Sequence, residues 1–152
     1  MTKYYRVSPE AAGDIGELTE HDGTKRPPDC STTHKLHHKF KSWRGDDIVG
    51  CNNFVLITES LKNIIESKSL SGFEIEDLVT TKHEKFEKLQ PETELPEFYW
   101  LRVTGHPTVD DFGMSYNDQL IVSEEALNVL RQVNHQHADI NEYDRSYPTD
   151  SW

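Results

Sequence analysis

An internal repeat constrains the fold of this chain more than any other feature. The segment 55–61, Val-Leu-Ile-Thr-Glu-Ser-Leu, returns at 120–126 as Leu-Ile-Val-Ser-Glu-Glu-Ala. In both copies three β-favouring aliphatic residues end at a Thr or Ser, and a Glu then stands where a helix dipole favours negative charge. The pattern therefore predicts a buried strand that runs into a helix, with Thr58 and Ser123 as the helix N-caps.

The two copies stay aligned beyond the caps without a gap. Ile65 matches Leu130 on the predicted helix, and Ile75 matches Ile140 after it. Each copy is thus expected to form a strand, a helix and a second strand. Few matched residues are identical, so gene duplication and independent recurrence of one supersecondary unit are both open interpretations.

Length and charge limit the classes of partner. A chain of 152 residues fits one domain, which buries about 68–70% of its accessible surface on folding. The net charge of -11 opposes binding to nucleic-acid phosphates or anionic lipid and favours a cationic partner.

Residues 1–10 lack an apolar leader, and no stretch is long enough to span a membrane, so we expect a cytoplasmic protein. We predict a domain over 1–140 and a polar tail over 141–152.

The remaining pattern favours a fold that is richer in strands than in helices. Further strands are predicted at Tyr4–Val7, Leu36–Phe40 and Phe98–Val103, with irregular connections over 8–33 and 108–118. A short charged helix is predicted over 82–89, with Phe86 and Leu89 facing inward. Several strands have no crossover helix between them, which predicts an α+β fold with a mixed or antiparallel sheet.

The cysteines give no clear redox signature. Cys30 and Cys51 are isolated thiols without a closely spaced pair. In a reducing compartment both are expected to be free, but a disulfide between them is also compatible with the sequence.

The histidines suggest a metal site only weakly. His34, His37 and His38 have a spacing that would place imidazoles on one face of a helix, as zinc ligation requires. The local alternation favours a strand instead, and surrounding lysines disfavour a dication. His135 and His137 could supply a further zinc ligand, although a turn before the last strand explains them more simply. We expect no structural metal and no cofactor.

Two motifs resemble catalytic signatures but lack their context. Asp111-Phe112-Gly113 matches the metal-binding tripeptide of protein kinases, yet no glycine-rich loop or other kinase element accompanies it. A turn with one buried Phe is the simpler interpretation. The segment 113–117 lacks the second glycine of a nucleophile elbow and does not join a strand to a helix.

Acidic pairs and aromatic residues are the better candidates for function. Asp46-Asp47 and Asp110-Asp111 each stand in a predicted turn upstream of a repeat copy. Paired carboxylates can bind magnesium or act as acid and base, but they are more often solvated turn residues. In the strand Phe98–Val103, alternation places Tyr99, Leu101 and Val103 on one face; if that face is core, Trp100 is available to a partner. Trp43 precedes the first acidic pair.

The chain resembles a family of bacterial immunity proteins from polymorphic-toxin loci of the type VI or Rhs kind. The similarity lies in the opening Tyr4–Ser8, in 95–101, in the Gly-Asp-Asp turn after Trp43, and in 120–130. The resemblance implies a cytosolic, non-catalytic protein that binds one toxin domain and blocks it. It carries no interface residue over and does not identify the toxin.

The favoured hypothesis is therefore an immunity protein that neutralises a cognate secreted toxin, such as a nuclease with a basic groove, by occluding its active site. The alternatives are a small metal-dependent hydrolase that uses the paired Asp and His residues, and an interaction domain unrelated to toxins. The oligomeric state is left open.

The expected toxin-binding residues are Trp43, Asp46, Asp47, Trp100, Asp110 and Asp111. Changing Asp46 and Asp111 to Lys is expected to slow association while leaving the melting temperature nearly unchanged.

Overall fold

A computed structural model describes residues 3–24 and 30–143. Three α-helices are present in this part of the chain: α1 (Glu59–Glu66), α2 (Glu84–Leu89) and α3 (Glu124–Leu130). The strands are β1 (Tyr4–Ser8), β2 (Glu10–Ala11), β3 (Gly13–Ile15), β4 (Glu20–His21), β5 (Thr33–Lys35), β6 (His37–Phe40), β7 (Ile48–Cys51), β8 (Phe54–Thr58), β9 (Phe73–Glu76), β10 (Val79–Lys82), β11 (Phe98–Val103), β12 (Phe112–Met114), β13 (Leu120–Ser123) and β14 (Asp139–Glu142). The predicted α+β class is confirmed.

The strands form two larger sheets, one smaller sheet and a hairpin. The first sheet has the order β2-β7-β8-β11-β9, and the second has the order β12-β13-β1-β14. The small sheet is β10-β6-β3, and β4 pairs with β5. Parallel pairing occurs between β10 and β6 and between β2 and β7, whereas the other pairs are antiparallel. The first sheet and the small sheet are thus mixed and the second sheet is antiparallel, which agrees with the predicted mixed or antiparallel arrangement.

The internal repeat corresponds to two structurally equivalent units. In the first sheet β8 pairs with β11, which pairs with β9; in the second sheet β13 pairs with β1, which pairs with β14. The registers agree residue by residue: Leu101 lies opposite Val55 and Ile75, and Val7 lies opposite Leu120 and Ile140. Both repeat matches, 55 with 120 and 75 with 140, are 65 residues apart. The predicted strand, helix and strand of each copy are therefore confirmed.

The two units share one hydrophobic core. Their helices and the facing sides of both sheets supply the buried side chains, which include Val55, Leu61, Leu101, Val122 and Leu127. Burial of a large aliphatic side chain contributes about 1.5–3 kcal/mol. Because each unit exposes this apolar face to the other, packing of the two units completes the core of each.

A second core covers the other face of the first sheet. It contains Phe40 from the small sheet, Phe86 from α2, and Phe98 and Trp100 from β11. Trp100 is only 1% exposed, and its ring meets Phe54 edge to face at 5.6 Å between centroids. Since both faces of β11 are core, the expected availability of Trp100 to a partner is wrong.

Three further expectations need correction. The connections predicted over 8–33 and 108–118 contain short strands, β2, β3, β4 and β12, which pairing with distant segments defines. Leu89 faces solvent at 71% exposure instead of packing inward with the buried Phe86. The last strand continues through Glu142, and Tyr143 is buried, so the domain extends past the expected end at residue 140. The rest of the predicted tail lies outside the described residues.

Candidate functional site

The second Asp of the first acidic pair holds the start of α1. The Thr58 hydroxyl donates to Asp47 Oδ1 at 2.6 Å, and the oxygen of this hydroxyl, Thr58 Oγ1, accepts from the Leu61 backbone N–H at 3.4 Å. The backbone N–H of Asn134 donates to Asp47 Oδ2 at 2.9 Å. Asp47 thus joins the cap of α1 to the loop that follows α3.

The second unit repeats this arrangement with other residues. The Ser123 hydroxyl donates to Asp111 Oδ1 at 2.6 Å and accepts from the Ala126 N–H at 3.1 Å. The backbone N–H of Ser71 donates to Asp111 Oδ2 at 2.9 Å. Asp111 therefore joins the cap of α3 to the loop that follows α1. Both predicted N-caps are confirmed.

We call these two arrangements the reciprocal clasps: Asp47 with Thr58 and Asn134, and Asp111 with Ser123 and Ser71. In each clasp the carboxylate comes from one unit and the loop from the other, so the C-terminal loop of each helix lies beside the N-terminus of its partner. The clasps place the two acidic turns at equivalent positions of the two units, at opposite ends of the helix pair. They also engage both oxygens of each of these two carboxylates inside the molecule.

The first Asp of the first pair is buried in a polar cluster. Asp46 is 1% exposed and accepts from the His137 backbone N–H at 2.9 Å, while its other oxygen lies 3.0 Å from His137 Nδ1. Glu10 is close to the same ring, with Oε2 at 3.7 Å, and accepts from Arg44 Nε at 2.7 Å. His137 and Asp46 therefore join the 43–47 turn to the loop before β14.

These contacts overturn part of the expected binding surface. Asp46 is not an exposed steering charge, because its carboxylate is enclosed by His137 and the protein interior. Lys at position 46 or 111 would place an ammonium group where hydrogen-bond donors now converge. We therefore expect both changes to lower the melting temperature, because Asp46 and Asp111 accept internal hydrogen bonds. Asp110 is half-buried and accepts from the His106 backbone N–H at 2.9 Å.

An acidic recess lies beside the first clasp, and two of the predicted toxin-binding residues, Trp43 and Asp47, line it. We define it by the carboxylates of Asp47, Glu59 and Glu97 and by Trp43 at its wall; its volume is about 350 Å³. Its other lining residues are Gly45, Thr58, Ser60, Asn63, Pro96 and Asn134. Glu59 and Glu97 are exposed, and within the described part of the chain neither forms a close ion pair. Lys62 interacts with Glu59 at longer range, and Tyr99 interacts with the Glu97 side chain. The recess is therefore acidic, with partial local compensation.

Trp43 is fixed in place before any partner arrives. The Gln90 side-chain amide accepts from the Trp43 backbone N–H at 2.8 Å and donates to its carbonyl at 2.9 Å. The indole N–H donates to the Asp46 carbonyl at 2.8 Å, and the ring meets Phe98 edge to face. A half-buried aromatic side chain that is already ordered loses little conformational entropy on binding.

The corresponding place in the second unit has a different charge. The Glu59 N–H donates to the carbonyl of Glu97, and the Glu124 N–H donates in the same way to the carbonyl of Lys3. Lys3 therefore stands where the first unit has Glu97. Glu125 in turn stands where the first unit has Ser60, so the difference in charge between the two units is small. The ordered ring of Trp43 therefore favours the recess of the first unit as the candidate functional site.

A larger cleft of about 850 Å³ lies on the small sheet, but its charges are largely paired within the molecule. Asp14 lies 2.8 Å from Lys41, and Glu17 lies 3.6 Å from Lys39. The Lys41 contact lowers the pKa of Asp14. This cleft therefore presents mixed, internally paired charge, whereas the acidic recess keeps two exposed carboxylates, Glu59 and Glu97, without a close ion pair.

The histidines of the small sheet are structural. His37 Nδ1 accepts from the Leu18 N–H at 3.2 Å, which leaves Nε2 to donate to Thr81 Oγ1 at 2.7 Å. Burial lowers the pKa of His37, and it lowers the pKa of His38 to about 4. His34 instead is exposed and pairs with Asp22.

Metal-ligating and thiol groups do not assemble into a further site in the part of the chain that the structure describes. Over residues 3–24 and 30–143, no group of three or more His, Cys, Asp or Glu side chains is arranged to hold a metal ion. Cys30 and Cys51 are both buried and free, and burial raises the pKa of each thiol. No helix of the described residues has the length and apolar character needed to cross a bilayer.

Comparison with known proteins adds no family assignment. No family model matches the chain, and no curated protein matches it significantly.

Proposed function

We propose that this chain is a non-catalytic immunity protein that acts in the cytoplasm. It binds a toxin domain encoded in the same polymorphic-toxin locus, of the type VI or Rhs kind, and blocks that domain by occluding its active site. The observation that carries the proposal is the acidic recess, in which the exposed carboxylates of Glu59 and Glu97 adjoin the ordered ring of Trp43. The resemblance described above supports the same function.

The physical chemistry of the recess suits a basic protein surface. Exposed carboxylates raise the rate of encounter with a positively charged partner, and the net charge of -11 extends that attraction beyond the contact area. A buried aromatic contact then slows dissociation, since interface energy concentrates in a few such side chains. A nuclease toxin has the required basic groove because it must bind phosphates.

Charge reversal in the recess tests this function. The variant Glu59→Lys with Glu97→Lys should associate about tenfold more slowly with the purified toxin domain of the adjacent gene, and its rate should depend less on salt. Protection of cells that express this toxin should weaken in parallel. Stopped-flow binding at several salt concentrations measures the rate.

A matched control separates local charge from net charge. Asp77→Lys with Glu142→Lys changes the net charge equally, and both residues are exposed outside the lining of the recess. This control should keep nearly the wild-type association rate. Equal slowing in both variants would assign the effect to net charge alone, and absence of binding by the wild-type protein would reject the immunity function.

A further inference from the structure

The connection between the two units is an unusual loop. Residues 104–111 run from the end of β11 to the start of β12, and we call them the display loop. Thr108 has φ of 66°, in the left-handed region. A β-branched residue rarely adopts this conformation, because its Cβ substituents crowd the backbone. Such strain persists only where the surrounding structure enforces it, and it concentrates at functional segments.

The loop is held rigidly at its base. The Val109 and Asp110 N–H groups both donate to the His106 carbonyl, at 3.1 and 3.0 Å, while the Asp110 carboxylate accepts from the His106 N–H. The Thr104 and Gly105 N–H groups donate to the Gly72 carbonyl. These bonds fix the loop to itself and to the segment that follows α1.

Three glycines make this shape possible. A Cβ at Gly72 or Gly105 would lie 2.1 or 2.3 Å from the Phe112 carbonyl oxygen, and a Cβ at Gly113 would lie 2.4 Å from the Pro107 nitrogen. Each distance is far below a van der Waals contact. The base of the loop is therefore closely packed, and its strained conformation is imposed from three sides.

The rigid base presents one aliphatic side chain to solvent. Val109 is 71% exposed, next to the strained Thr108. The equivalent turn of the first unit, before Asp46, has its left-handed residue at Gly45, with φ of 96°, where no side chain is strained. The second unit thus holds an unfavourable backbone conformation directly beside an exposed apolar side chain.

We infer that the display loop is a second contact with the toxin, and that Val109 inserts into a small apolar pocket on that protein. The inference rests on the proposed function. A convex aliphatic tip fits a concave apolar pocket, and the ordered loop loses little entropy on insertion. The net charge of -11 disfavours nucleic acid and anionic membranes as occupants, which leaves a protein.

The display loop and the acidic recess lie at opposite ends of the helix pair. The loop adjoins Ser71 and Asp111 at one end, and the recess adjoins Asn134 and Asp47 at the other. Since α1 has eight residues, it is about 12 Å long. A partner that contacts both features must therefore reach across at least this helix length, which an interface of about 800 Å² on each partner allows.

Surface plasmon resonance with the purified toxin domain of the adjacent gene tests this contact. Val109→Asp should raise the dissociation rate at least tenfold, with little change in association rate or melting temperature. Leu89→Asp is the matched control, because Leu89 is also 71% exposed but lies on α2, and it should dissociate like the wild type.

Thr108→Gly supplies an independent measurement. Glycine removes the strain at this position and should raise the melting temperature by a few degrees. Its greater backbone freedom makes the tip of the loop less ordered, so the variant should bind the toxin domain several-fold more weakly. If the wild type binds and neither Val109→Asp nor Thr108→Gly changes that binding, the proposed contact through the display loop is overturned and the immunity function stands. No binding by the wild type would reject the function itself.

Discussion

At the scale of single residues, burial controls the chemistry of His38. This side chain is 1% exposed on β6 and meets the ring of Phe40 edge to face at 4.4 Å. Removal from water lowers its pKa from 6.5 to about 4, and the Ala12 backbone and the Asp14 carboxylate oppose this shift only partly. The folded protein therefore holds a neutral imidazole at neutral pH.

This shift predicts a pH-dependent stability. Between pH 6.5 and 4 the unfolded chain binds a proton at His38 that the folded protein does not, so the stability from this residue falls as the pH falls through that window. From pH 7 to pH 5 the loss attributable to His38 is about 2 kcal/mol. Urea unfolding at both pH values measures it.

The variant His38→Leu separates this contribution from that of other groups. It retains His37, whose pKa is also lowered, but has no proton to bind at position 38. Its stability should fall less between pH 7 and pH 5 than that of the wild type. An equal fall in both proteins would mean that His38 does not titrate as its burial implies.

At the scale of elements, each hydroxyl cap stabilises more than its own helix. Thr58 and Ser123 accept from a helix N–H and also donate to a carboxylate that holds the other unit's loop. A helix N-cap contributes about 0.5–2 kcal/mol, and a hydrogen bond to a charged group about 1.5–3 kcal/mol. The two contributions meet at one oxygen in each unit.

Removal of either hydroxyl should therefore cost more than an ordinary cap. We expect Thr58→Ala and Ser123→Ala each to lower the free energy of unfolding by about 2–4 kcal/mol. Thr58→Ser, which keeps the hydroxyl, should lose much less. Chemical denaturation measures all three. A loss in both alanine variants of only about 0.5–2 kcal/mol, the size expected for a cap alone, would contradict the added contribution of the clasps.

A double-mutant cycle tests the pairing within each clasp. Asp47→Ala combined with Thr58→Ala should show a coupling energy of about 1–2 kcal/mol, since the two side chains share a hydrogen bond. Asp47→Ala combined with Ser123→Ala should be nearly additive, because these residues belong to different clasps.

At the scale of the whole molecule, the two units depend on each other. They share one core, and each acidic turn holds the loop after the other unit's helix. Neither unit therefore has a complete core or a complete set of hydrogen bonds by itself. Unfolding of one unit exposes the apolar face of the other.

This dependence predicts one cooperative unfolding transition. Two of the three tryptophans, Trp43 and Trp100, belong to the first unit and its covering layer, so tryptophan fluorescence reports largely on that part of the molecule. Far-UV circular dichroism reports on both units. The urea midpoints of the two signals should coincide. Two separate midpoints would show that the units unfold independently and that the clasps contribute little.

The sequence by itself determined the local units. Strand, cap and helix are set by residues within a few positions of one another, so the caps Thr58 and Ser123 and the strands of each copy were predictable from the repeat, although their pairing was not. The α+β class follows from the same local patterns. Weak local signals, as at β2 and β12, gave no prediction because pairing with distant strands defines those elements.

Only the tertiary structure decided which residues are available for function. Asp47 and Asn134 are 87 residues apart in the chain, and no local pattern predicts that they share a hydrogen bond. Trp100 is buried because a second layer covers the first sheet, and Asp46 is enclosed because His137 reaches it across the fold. Burial depends on the packing of distant segments, which is why the acidic recess replaced the acidic turns as the candidate site.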